Sequence, residues 1–81
     1  MDELIQELDR MCRLLTYKNQ DDLHESTLEF IIDEAGWAIC NLETEKEMKI
    51  PYTEYYCEKV RVFHMTLKKL CKKYGISYKN E

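Results

Sequence analysis

Apolar residues recur along this chain with the period of an α-helix, in three blocks separated by polar stretches. In the first block Leu4, Ile5, Leu8, Met11, Cys12 and Leu15 fall at i, i+1, i+4, i+7, i+8 and i+11. That is one face of an amphipathic helix and predicts a helix over residues 2–17. Glu3, Glu7, Asp9, Arg10 and Arg13 lie off the stripe, and the acids of its first turn suit the positive end of a helix dipole. Lys18 to Asp21 carries no periodicity and reads as a turn. Asp22 with Glu25 three residues on has the spacing of a capping box and opens a second helix over 22–43. Its main apolar face is Leu28, Ile31, Ile32, Ala35, Ile39 and Leu42.

A polar stretch from Thr44 to Lys49 leads to Ile50 and Pro51. Proline fits the first turn of a helix, where its missing N–H removes no bond, so the third helix is expected over 51–74. Tyr56, Val60, Phe63, Leu67, Leu70 and Tyr74 form its core stripe. Gly75 then supplies a left-handed C-cap, with Ile76 folding back as in a Schellman motif, and residues 77–81 read as a frayed tail. Three helices with short connections make an antiparallel three-helix bundle, a single all-α domain over residues 1–81.

The second helix is apolar on two sides. On a wheel at 100° per residue Phe30 and Trp37 point nearly opposite the Leu28–Leu42 face, seven residues apart on one line, with Cys40 beside them. Tyr55, Val62 and Met65 face away from the stripe of the third helix in the same manner. Large apolar side chains left in water forgo roughly 1.5–3 kcal/mol each. A second contact stripe inside the bundle would account for them. So would a contact surface for another protein, for which Trp, Tyr, Phe and Met are the enriched types.

Charge adds direction to this picture. The chain of 81 residues has a net charge of −4, which argues against general nucleic-acid binding. Residues 1–50 hold 13 acidic and 5 basic side chains, net −8, while residues 51–81 hold 3 acidic and 7 basic, net +4. Asp33 and Glu34 flank the aromatic line and would orient a partner. With Asp21, Asp22, Glu25 and Glu29 they also form an acidic face of the kind that mimics nucleic acid. Lys68, Lys69, Lys72 and Lys73 make a candidate basic patch. Leu67 to Ser77 looks like the first half of a helix-turn-helix, but only four residues follow where a recognition helix is needed.

Catalytic and metal chemistry find little support. Cys12, Cys40, Cys57 and Cys71 lie far apart within helical patterns, and none has the close spacing that zinc requires. Cys57, His64 and Cys71 repeat every seven residues, about 10.5 Å per step, and read as a small-residue edge of the core. His24 stands among acids near a helix start. No phosphate loop, nucleophile elbow or HExxH motif is present. No cofactor or metal is called for. The cysteines are expected to be reduced in a cytoplasmic protein, since Asp2 and Glu3 after Met1 have the wrong sign for a signal peptide and no apolar run is long enough for a membrane span.

The stretch Asp21 to Pro51 (DDLHESTLEFIIDEAGWAICNLE…IP) resembles the central helix of small head–tail connector proteins of tailed phages. The size and all-helical pattern are similar to those of bacteriocin immunity proteins. The first resemblance implies a self-associating virion component, the second an inhibitor that acts by occlusion. The expectation is a small non-catalytic protein-binding module, an adaptor or inhibitor, that docks through Phe30, Trp37, Tyr55, Val62 and Met65 with Asp33 and Glu34. A self-associating structural protein, such as a homodimer, is the first alternative. A nucleic-acid-associated or nucleic-acid-mimicking regulator is the second.

Overall fold

Each helix forms where the apolar periodicity places it, and the differences lie at the ends. The computed structural model describes residues 1–18 and 26–78. It contains α1 (Asp2–Lys18), α2 (Ser26–Glu47) and α3 (Glu54–Lys73), and no strand among the described residues. The three helices pack pairwise into an all-α three-helix bundle. The turn residues from Asn19, the expected capping pair Asp22 and Glu25, and His24 lie outside the described residues.

α2 runs four residues past its expected end at Glu43. Thr44 to Glu47 are polar, but polarity alone does not stop a solvent-facing helix turn, and Thr44 Oγ1 donates back to the Cys40 carbonyl at 2.9 Å. The stop comes at Lys49, which takes a left-handed φ of 59°. Ile50 N–H donates to the Glu45 carbonyl at 3.1 Å and Lys49 N–H to the Lys46 carbonyl at 3.1 Å, the paired bonds of a Schellman motif. A lysine therefore occupies the position glycine usually takes.

α3 begins three residues later than Pro51 suggests. Pro51 stays in the connection, and Thr53 is the N-cap at φ −67°, ψ 126°. The Thr53 side chain does not cap its own helix. Its hydroxyl instead donates to Glu45 Oε2, while its N–H donates to Glu45 Oε1 at 2.9 Å. The carboxylate of one helix thus sits at the positive end of the next. The Tyr52 hydroxyl donates to Asp2 Oδ1, and Lys46 Nζ lies 3.5 Å from Asp2 Oδ2. The Tyr52 hydrogen bond above all, with Lys46 in support, holds the Asp2 carboxyl below its usual range, and the same bond pushes the Tyr52 hydroxyl up to about 12. The start of α1 is tied in this way to the α2–α3 connection.

At the other end α3 closes as expected. Gly75 has φ 67°, Ile76 N–H donates to the Cys71 carbonyl at 2.8 Å, and Gly75 N–H to the Lys72 carbonyl at 3.3 Å. Of the tail expected to fray, residues 79–81 lie outside the described residues. Ser77 is exposed, but Tyr78 is buried, with its carbonyl accepting from Arg10 Nε at 2.9 Å and its ring edge-on to His64.

The core seam of α3 is rotated from the predicted stripe. Val60 and Leu67 are fully buried, but Tyr56, Phe63 and Leu70 are only half-buried and Tyr74 is exposed. Cys57 and Cys71 are buried in their place, so these residues belong to the core and not to its edge. The rotation follows from α1, whose Leu8, Met11 and Leu15 are fully buried and whose Glu7 meets His64 at 3.4 Å. α3 packs closely against both other helices, while α1 and α2 meet least. Between these two runs an open groove of about 440 Å³ lined by Cys12, Thr16, Ile32 and Gly36. The Cα envelope is a slab of 39 × 30 × 17 Å.

Candidate interaction surface

Trp37 faces outward from α2 and leans toward α3. Its ring meets Tyr56 edge-on with centroids 5.2 Å apart, and Tyr55 at 6.3 Å. Tyr55 and Tyr56 pack on each other at 5.7 Å, and Lys59 Nζ lies 5.5 Å from the Tyr55 ring centre and 5.9 Å from that of Phe63. Edge-to-face ring pairs and a cation over a ring face add a modest attraction beyond burial. One aromatic cluster therefore spans the outer seam between α2 and α3.

The cluster does not bury its members. Phe30 is 62% exposed, Trp37 45%, Tyr55 57%, Val62 48% and Met65 64%. Phe30 lies seven residues before Trp37, and Val62 seven after Tyr55, so each helix presents a line about 10.5 Å long. The helices run antiparallel, because they pack on each other and the last turn of α2 lies at the start of α3, where Glu45 meets Thr53. Phe30 and Val62 consequently extend the patch in one direction from the Trp37–Tyr55 contact. Met65 sits further round α3, in a shallow depression shared with Lys68, Lys69 and Lys72.

The charged residues divide. Asp33 is exposed on the α1 side of the aromatic line, near Glu29 and Thr16. Glu34 is half-buried. Lys68, Lys69, Lys72 and Lys73 are all exposed, and Lys73 Nζ lies 5.7 Å from the Tyr74 ring centre. Sequence reasoning missed the half-buried Phe63, Lys59 and Tyr56 as parts of the patch. Tyr56 and Phe63 fit the core stripe too well to be singled out, and Lys59 carries no apolar signal. It also passed over the exposed Tyr17, Met48 and Ile50, which stand at helix ends away from any stripe.

The cysteines and histidine take structural places. All four thiols are free; Cys40 is exposed and Cys57 and Cys71 are buried. Burial first, with the Asp9 charge adding, pushes the Cys12 thiol up to about 12, and burial likewise raises Cys57 and Cys71. Thiols held protonated in this way are poor nucleophiles and poor metal ligands. His64 pairs across the bundle with Glu7 and packs on Tyr78. No group of three or more His, Cys, Asp or Glu gathers as for a metal among the described residues, and no helix there is long and apolar enough to cross a membrane. No family model matches the chain, and no curated protein or solved structure is significantly similar to it.

Proposed function

We propose that this chain is a non-catalytic protein-binding module that acts through the outer α2–α3 seam, as an adaptor or as an inhibitor that covers a partner's surface. One observation carries the reading. Phe30, Trp37, Tyr55 and Val62 are each about half exposed or more, and the Trp37–Tyr55 ring contact joins the exposed line of α2 to that of α3. Exposed apolar residues scattered singly need no explanation, but a contiguous aromatic group on a small domain does. Residues of these types at the centre of an interface contribute most of its affinity, and helices hold them in place before binding. The acidic Asp33 beside them would set orientation and encounter rate more than strength.

Site-specific photo-crosslinking in the native host tests the proposal. A photoreactive side chain at Phe30 or Val62 is expected to give discrete protein adducts, and Trp37→Asp in the same chain to abolish them. A photoreactive side chain at Glu3, exposed on α1, serves as the control. Adducts at Phe30 and Val62 no stronger than at Glu3 would sink the reading.

A further inference from the structure

We infer that the occupant of this seam is a second copy of the chain, held as a two-fold dimer in which α2 of one copy covers α3 of the other. The inference rests on the seam being a protein-binding face and names the partner.

Three features point to a like partner. First, the exposed lines on α2 (Phe30, Trp37) and α3 (Tyr55, Val62) each repeat at seven residues. A spacing of seven keeps a seam in register with a helix crossing at about 20°, so two adjacent antiparallel helices with such lines fit another pair of the same kind as a four-helix layer. Second, the charges are self-complementary. α2 carries Glu29 and Asp33 on the edge of its line away from α3, and α3 carries Lys69 and Lys72 on the edge of its line away from α2. Because the helices are antiparallel, the first half of α2 and the last half of α3 lie at the same end of the molecule. A two-fold axis parallel to the helices then lays the acidic edge of one copy against the basic edge of the other, twice. Third, α2 and α3 are 22 and 20 residues long, about 30 Å each, so a face spanning both can supply the roughly 800 Å² per partner of a standard interface. Burying Phe30 and Trp37 against Val62 and Tyr55 of another copy would give this 81-residue chain the second core it lacks.

Sedimentation of the full chain from about 1 µM to about 500 µM reads the equilibrium directly. A concentration-dependent dimer is expected, with a blue shift of the emission of Trp37, the single tryptophan, over the same range. Phe30→Asp, which removes no ring pair within the monomer, should weaken the dimer at least about tenfold while helical circular dichroism is unchanged. Asp33→Lys should weaken it by a smaller factor, and the double change Asp33→Lys with Lys69→Glu should restore it. A chain that stays monomeric throughout, or a dimer indifferent to Phe30→Asp, overturns the inference. A failed rescue by Lys69→Glu overturns the paired arrangement. A monomer whose Phe30 position still cross-links to a different protein overturns the second copy but leaves the binding face standing, whereas a monomer without adducts removes both.

Discussion

The carboxylate of Glu45, in the last turn of α2, receives both the N–H and the hydroxyl of Thr53, the N-cap of α3. The connection between the two helices is thereby closed by a single side chain. With the Schellman turn at Lys49, it sets how α3 leaves α2. A helix N-terminus without a side-chain acceptor leaves its first N–H groups to water. Glu45→Ala should cost about 1 kcal/mol in urea unfolding, the usual range for a lost cap. Glu45→Gln, which keeps an acceptor but not the charge, should cost less. An unaltered midpoint for Glu45→Ala would show that the contact adds nothing to stability.

Lys49 and Gly75 occupy equivalent left-handed positions in two Schellman motifs, at φ 59° and 67°. A side chain with a Cβ is disfavoured at such a φ, while glycine accepts it. Lys49→Gly should therefore raise stability by about 0.5–1 kcal/mol, and Gly75→Ala should lower it by a similar amount. A Cβ at Gly75 meets no atom within 4 Å, so the loss would report backbone conformation alone. Equilibrium denaturation of both variants decides the matter. A destabilised Lys49→Gly would mean that the lysine side chain offsets the strain.

Periodicity made the three helices legible, because spacing at three and four residues is a direct record of which side is buried. It placed the C-cap at Gly75, where glycine announces a left-handed turn. It could not place the cap at Lys49, where no glycine stands. Nor could it find the start of α3, set by the distant Glu45 and not by Pro51. The stripe of α3 was displaced because Cys57 and Cys71, small residues set at the edge of the core, are buried within it. For the surface, the wheel correctly set Phe30 and Trp37 on the outward side of α2. Their union with Tyr55 depends on the register of two helices, which no single helix encodes.

The thiols divide by burial. At neutral pH an excess of thiol reagent should modify Cys40 quickly, the half-buried Cys12 in its groove slowly, and Cys57 and Cys71 only after unfolding. Two or more fast thiols in the native protein would contradict this packing. The same burial sets an alkaline limit. Cys12 ionises near 9 when unfolded and is pushed up to about 12 in the fold, and the hydrogen bond to Asp2 moves Tyr52 up from 10.0 in the same direction. Between those values the native state binds more protons than the unfolded one. Stability is therefore complete below about pH 9 and falls as pH rises toward 12. Cys12→Ala should flatten that fall. If denaturation midpoints between pH 9 and 11 decline equally in both proteins, the Cys12 thiol is not its cause.

Tyr78 closes the bundle on the side opposite the aromatic seam, between α1 and α3. Its ring stands at 89° to that of His64 with centroids 6.3 Å apart, and its carbonyl receives Arg10 Nε at 2.9 Å. Glu7 reaches His64 at 3.4 Å from the neighbouring turn of α1. The last described residue of the chain thus covers the half-buried contact between His64 and Glu7 and ties α3's end to α1, which meets α2 least. Tyr78→Ala should cost about 2–3 kcal/mol, less than a ring lost from the centre of a core because this site opens to solvent. Arg10→Ala, which removes one bond to a backbone carbonyl, should cost about 1 kcal/mol. The two share a contact, so their double variant should lose less than the sum. Hydrogen exchange gives a second reading, with faster exchange in α1 and the end of α3 and little change in the Trp37–Tyr56 region. Uniform loosening of all three helices would show that Tyr78 supports the whole fold and not this one junction.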